Sequence, residues 1–251
     1  MIDIHSHILP GLDDGARNLE QALGMLRMAA ASGTTDIVAS PHASPQFHFD
    51  PFRVEQVLGE LRQASADKPR IHYGCELHLT PEGIESVVRS PEKYSIAHRG
   101  YLLVEFSDFL VPKNTADIFA RLMSAGTRPI IAHPERNPIL RNRLPDLDRW
   151  IAQGCLLQVT AQSLLGRFGK SAEAVGRGWL ARGLVHFLAS DGHDLDRRPA
   201  VLADSRVYVE REFGAETACR LFVENPQAVL DGVPVELEPA RVGQKRWFLP
   251  W

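Results

Sequence analysis

Seven short apolar runs recur along this chain, at Ile2–His5, Thr35–Ala39, Arg70–Cys75, Tyr101–Phe106, Arg128–Ala132, Cys155–Thr160 and Val185–Ala189, with amphipathic stretches between them. Each is rich in Val, Ile, Leu or aromatic residues. Near-continuous apolar character predicts parallel strands buried on both faces. Seven such strands separated by helices predict an α/β fold, a distorted (β/α)7 TIM-like barrel, in preference to an open sheet. The 251 residues suit a single barrel domain over 1–251, with 233–251 as a less periodic C-terminal tail. A chain this long buries about 70–75% of its unfolded surface and needs no covalent staples.

Helix punctuation agrees with this alternation. Asn18 and Gln21 read as a capping box, Leu19, Leu23, Leu26 and Ala30 keep the helical period, and Gly33 follows as a stop. Pro199 suits the first turn of the helix after the seventh strand and Gly214 its end. Asn225-Pro226 is expected to break the next helical stretch. The tail ends Lys-Arg-Trp-Phe-Leu-Pro-Trp and is read as a docked strap, with a partner-contact surface as the alternative.

Composition narrows the function classes. A formal net charge of −3 argues against nucleic acid and acidic membrane as partners. No apolar run approaches ~18 residues, so no membrane insertion is expected. The opening Met-Ile-Asp-Ile-His-Ser-His lacks the basic and apolar segments of a signal peptide, and a cytoplasmic location is expected. The three cysteines, Cys75, Cys155 and Cys219, are odd in number and unpaired in spacing, which fits a reducing compartment. Their i+6 residues are Pro81, Ala161 and Asn225, so the Cys-x5-Arg pattern of a cysteine phosphatase is missing.

The chemistry lies where the apolar runs end. His5 and His7 are spaced i, i+2, which puts two imidazoles on one face of a strand. Asp13 and Asp14 follow in a loop, and either could reach back. His42 follows the second run, Glu76 the third, Glu105 the fourth and His133 the fifth, while Asp191 and His193 follow the seventh. The sixth offers no obvious ligand. A carboxylate directly after a buried strand is costly unless it is paired. Taken singly, each residue suggests a local salt bridge. Together, at the carboxyl end of barrel strands, His5, His7, Asp14, His42, Glu76, Glu105, His133, Asp191 and His193 suggest a multi-metal hydrolase. Without thiolates, imidazole and carboxylate suit Mn²⁺, Fe²⁺ or Zn²⁺, and nine ligands suggest two or three ions. Three such ions outweigh the four carboxylates, and the surplus positive charge attracts a phosphate dianion.

At these residues the chain resembles the PHP (polymerase and histidinol phosphatase) superfamily, and within it the bacterial CpsB/CapC/YwqE-type manganese-dependent protein-tyrosine phosphatases. The opening MIDIHSHILPGLDDGA carries most of the likeness. His133-Pro134-Glu135-Arg136-Asn137, Ser190-Asp191-Gly192-His193 and Arg198-Pro199 support it, over Met1 to about Gly232. The resemblance implies a trinuclear centre: His5, His7, Glu76 and Asp191 at one ion; Glu76, Glu105 and His133 at a second; Asp14, His42 and His193 at a third. It also implies Arg136 and Arg198 as catalytic arginines, with Arg197 competing for the second role. The implied substrate is the phosphotyrosine tail of a cognate bacterial tyrosine kinase that governs capsule or exopolysaccharide synthesis.

On this reading a metal-bridging hydroxide attacks phosphorus in line while the two guanidinium forks clamp its equatorial oxygens. A small-molecule phosphoesterase similar to histidinol-phosphatase is the runner-up. An amidohydrolase acting on C–N bonds comes third, because it usually wants a carboxylated lysine after the fourth strand, where this chain has Glu105. Phe47, Phe49, Phe52 and Phe109 lie on loops that could line a groove for an aromatic phosphoester or pack as lids. His48, His72, His78, His98 and His186 are read as surface or locally bonded histidines.

Overall fold

The computed structural model describes residues 1–66 and 68–235. The expected strap therefore lies outside the described residues beyond Val235. Among the described residues nine parallel strand segments make seven staves. β1 (Ile2–Ser6) is followed by α1 (Leu19–Ala31), and β2 (Asp36–Ala39) and β3 (His42–Ala43) by α2 (Pro51–Ser65). β4 (Arg70–Tyr73) and β5 (Glu76–His78) precede α3 (Pro81–Arg89), and β6 (Tyr101–Glu105) precedes α4 (Thr115–Ser124). β7 (Arg128–Ile131), α5 (Leu144–Ala152), β8 (Leu156–Thr160), α6 (Gly169–Ala181) and β9 (Phe187–Ala189) complete the alternation. α7 (Ala203–Phe213), α8 (Ala215–Cys219) and α9 (Asn225–Asp231) follow.

The ladder β1-β2-β4 continues, past interruptions of the strands at Ser40-Pro41 and Gly74-Cys75, into β3-β5-β6-β7-β8-β9. It returns to its start because the Asp191 N–H donates to the His5 carbonyl (2.9 Å) and the His7 N–H to that of Gly192 (2.8 Å). The third apolar run was expected to be one strand ending at Glu76. Instead it divides, and Glu76 opens β5 opposite His42 and Leu103. Gly74 allows the step, since a Cβ there would sit 2.5 Å from the Val38 methyl.

Strand alternation sorts the side chains. Val38, Leu103, Ile130, Leu156 and Phe187 fill the barrel interior with Ile2 and Ile4, while Leu102, Val104, Ile131, Leu157 and Leu188 pack outward against the helices. Regular pleating would turn His5 away from an interior that holds Ile4. The pairing of β1 with β2 shifts register between Asp3 and Ser6, so His5 can join the mouth directly above Ile4. Below, Val229, Leu230 and Val235 join the interior cluster, and the Tyr101 hydroxyl donates to the Val233 carbonyl (2.6 Å).

Helix ends depart from expectation in three places. Asn18 caps α1 through the Gln21 N–H (2.9 Å), but the Gln21 side chain reaches back to Arg17 and not to the cap. Pro199 precedes α7, which starts four residues later at Ala203. Asn225-Pro226 does not break the helical path. A π-helical turn over Arg220–Glu224 precedes it, and Pro226 occupies the first turn of α9, where its missing N–H costs least.

Candidate metal centre

All nine sequence-predicted ligands converge on the carboxyl-terminal mouth. Among the described residues they fall into three groups whose ligand atoms lie within 4.8 Å of one another: His7, Asp14, His42 and His193; His5, Glu76, His133 and Asp191; and His42, Glu76 and Glu105. Glu76 is the hub. Its Oε2 lies 3.1 Å from His5 Nε2, 3.2 Å from His7 Nε2 and 3.2 Å from His42 Nδ1, and its Oε1 lies 2.9 Å from His133 Nε2. Asp191 Oδ1 is 3.4 Å from both His5 and His7. Asp14 stands 3.4 Å from His42 and 3.5 Å from His193. The resemblance divides them differently, with His7 beside His5, Glu76 and Asp191, and with His133 beside Glu76 and Glu105.

The donor set fits cations better than a network of hydrogen bonds. Glu76 Oε2, Asp191 Oδ1 and His42 Nδ1 are buried and crowded by polar atoms, yet none has a hydrogen-bond partner. His5 Nε2 and His7 Nε2 face each other at 3.2 Å. Crowded lone pairs without mutual hydrogen-bond geometry are what a shared cation satisfies.

The outer ring nitrogens set the tautomers. His5 Nδ1 meets Gln158 Oε1 at 3.1 Å, His7 Nδ1 meets Asp13 Oδ2 at 2.7 Å, and His193 Nδ1 meets the Asp191 carbonyl at 2.9 Å. Each acceptor holds the proton on Nδ1 and presents the Nε2 lone pair to the mouth. Asp13 also accepts from the His42 and Gly15 N–H groups, so the two neighbouring aspartates differ in place: Asp13 bonds His7 from outside the cluster, while Asp14 faces His42 and His193 within it. Gln158 further accepts the His133 N–H (3.2 Å). The sixth strand thus contributes an orienting residue where sequence reasoning found no ligand. A lone Gln in Leu-Leu-Gln-Val-Thr was the available signal.

Charge balance is strained in keeping with this role. Burial pushes the Glu76 carboxyl up, but His5, His42 and His133 outweigh it and hold it well below the usual carboxylate range. Burial likewise opposes ionisation of Asp191, and Arg136, His5 and Arg198 prevail. Burial depresses the His7 imidazole, yet Asp13, Asp191 and Glu76 raise it well above its ordinary value. The backbone is strained as well: His133 and Asp191 adopt φ of 32° and 51°, a left-handed region that non-glycine residues seldom occupy.

Both predicted arginines reach the site. Arg136 Nη1 and Arg198 Nη2 each bond Asp191 Oδ2. The Phe168 ring backs Arg136, with the guanidinium carbon 4.5 Å from its centroid. Asp194 folds the following loop by accepting the Asp196, Arg197 and Arg198 N–H groups, and this turn aims Arg198, not Arg197, at Asp191. Glu135, buried and given no role by sequence reasoning, ties the Arg136 segment to the end of β8 and the turn after it through the Thr160 N–H (3.1 Å) and the Ser163 hydroxyl (2.7 Å). Cys75 and Cys155 are buried, and burial raises their thiols, that of Cys155 to about 12, so neither is a ready nucleophile. The unassigned His72, His78, His98 and His186 are locally bonded, His78 to Glu105.

A parallel α/β barrel with imidazoles and carboxylates gathered at its carboxyl-terminal mouth belongs to the class of barrel hydrolases that work through metal ions. The chain itself is a member of the capsular polysaccharide synthesis CpsB/CapC family, whose model matches residues 1–231. CapC of Staphylococcus aureus is 34% identical over 255 residues, covering 99% of each chain. The tyrosine-protein phosphatase YwqE of Bacillus subtilis is 32% identical over 250 residues, covering 98% of each. A solved structure from a study of YwqE from Bacillus subtilis and CpsB from Streptococcus pneumoniae, described as unique metal-dependent tyrosine phosphatases, matches with a TM-score of 0.87 and 32% identity. It covers 98% of this chain and 100% of that one. No described helix is long and apolar enough to cross a membrane.

Proposed function

We propose that this chain is a metal-dependent tyrosine phosphatase. Its substrate is the phosphotyrosine tail of a bacterial tyrosine kinase that regulates capsule or exopolysaccharide synthesis. The observation that carries the reading is the convergence of nine ligand side chains on one mouth, with two guanidinium groups bonded to one of their carboxylates. His5, His7, Asp14, His42, Glu76, Glu105, His133, Asp191 and His193 would hold two or three divalent ions, with Mn²⁺ first and Fe²⁺ or Zn²⁺ as alternatives.

Bound ions would supply water activated near neutral pH and positive charge for the phosphate oxygens. The chain's own groups do the rest. Gln158, Asp13 and the Asp191 carbonyl keep three imidazoles in the ligating tautomer. Arg136 and Arg198 offer planar forks that match two oxygens of a phosphate, and the Phe168 ring and the Asp194 turn hold those forks in position. Tyrosine leaves as a phenolate of pKa about 10, a far better leaving group than an alkoxide, so no general acid is assigned.

The test is a substrate panel. Metal-stripped protein reloaded with Mn²⁺ is offered a phosphotyrosine peptide, histidinol phosphate and a phosphoserine peptide. Preference for the phosphotyrosine peptide, abolished by chelation, is expected. Preference for histidinol phosphate would overturn the substrate, and silence toward all three would overturn the activity.

A further inference from the structure

The four phenylalanines expected on loops separate cleanly in the structure, and Phe52 lies in the first turn of α2. Phe49 is 9% exposed and packs on Tyr73 and Tyr94, so it belongs to the core. Phe52 is exposed but lines a different pocket on the flank, under the Lys93 ammonium. Phe47 and Phe109 both line a groove of about 440 Å³ that runs into the metal centre at Asp14, His42 and Glu105. The Phe47 ring lies nearly parallel to the His42 ring, at 14° and 5.8 Å between centroids. Phe109 is 94% exposed, and Leu110 beside it is 65% exposed.

A single exposed apolar side chain needs no explanation. Two aromatic rings lining one groove that ends at the imidazole and carboxylate cluster are a different matter. Neither sits on a free-swinging loop. Ser44 and Phe47 close a tight turn, with the Ser44 N–H on the Phe47 carbonyl (3.1 Å) and the Phe47 N–H on the Ser44 hydroxyl (3.1 Å). The buried Asn137 amide donates to the Phe106 and Ser107 carbonyls and to Asp108, pinning the base of the Phe109 loop to the segment that carries Arg136.

We propose that Phe47 and Phe109 are specificity-determining residues that hold the phenyl ring of the substrate, so that the site selects aryl over alkyl phosphate monoesters. This rests on the phosphatase reading above. A tyrosyl ester whose phosphate reaches the cluster extends its ring back into the groove. A seryl ester presents only a methylene there and gains nothing from either aromatic. Offset or edge-to-face contact between aromatic rings favours the aryl ester through binding.

The experiment measures kcat/KM for one peptide carrying phosphotyrosine and for the same peptide carrying phosphoserine. It uses the Mn²⁺-loaded wild type, Phe47→Ala, Phe109→Ala and Phe109→Tyr, with Mn²⁺ content measured on each. Each alanine variant is expected to lower the phosphotyrosine-to-phosphoserine ratio by roughly three- to tenfold, chiefly through KM, while Phe109→Tyr keeps the ratio. Phe109 is so exposed that its removal does not threaten folding. An unchanged ratio in both alanine variants at normal Mn²⁺ content overturns this proposal and leaves the phosphatase reading intact. A wild type that cleaves neither peptide overturns both.

Discussion

Gln158 makes the sharpest test at the scale of single residues, because it touches the centre only through His5 and the His133 backbone. Gln158→Ala frees the His5 tautomer and is expected to weaken divalent-ion affinity about 10- to 100-fold while the fold persists. Titration of the stripped variant with Mn²⁺ checks this, and wild-type affinity would remove Gln158 from the account. His186 gives a pH prediction far from the ions. Its Nδ1 accepts the Leu157 N–H (3.0 Å), and burial, aided by Arg128 and Arg220, lowers its pKa to about 4. The folded state therefore holds His186 neutral while the unfolded chain binds a proton near its ordinary 6.5. The stability from this residue is present above about pH 6.5 and is lost as pH falls through 4, roughly 3 kcal/mol at the limit. In denaturant melts, wild-type stability should fall by roughly 3 kcal/mol relative to His186→Gln as pH drops from about 6.5 to 4; parallel curves would contradict the assignment.

The nine clustered side chains were legible because all but the loop residue Asp14 interrupt or closely follow an apolar run, a position that burial makes expensive without a partner. Gln158, Glu135 and Asp194 were not. An orienting residue inside a strand or turn looks like any other polar residue until the group it holds is known.

Elements were legible by period, not by seam. The strand runs announced seven staves, but nothing in Arg70–Cys75 signalled that the chain would change partners at Gly74. Nor did Asn225-Pro226 reveal the π-turn that carries the helix past it. Both depend on neighbours distant in sequence. The loop after β1 shows how tightly an element is bound to the site. A Cβ on Gly15 would fall 2.0 Å from the His7 carbonyl, which accepts the Ala16 N–H at 3.0 Å. Gly15→Ala must push this loop, with Asp13 and Asp14, away from His7. A loss of about 1–3 kcal/mol in stability is expected from the forced contact, measured by denaturant unfolding. Unchanged stability would mean that the loop is not held as described.

For the whole molecule, strand alternation divides the barrel into an apolar plug below and a polar mouth above. Ile130 lies in the interior cluster, and three residues on the same chain brings His133 into the mouth. Family membership over residues 1–231 agrees with a barrel that is finished by α9. The central claim is that these nine side chains share cations. Crystals grown with Mn²⁺ and measured at the manganese absorption edge test it most directly. The account predicts two or three anomalous peaks, each about 2–2.5 Å from ligand atoms of His5, His7, Asp14, His42, Glu76, Glu105, His133, Asp191 and His193. A mouth without such peaks, or manganese bound only elsewhere on the molecule, would contradict it.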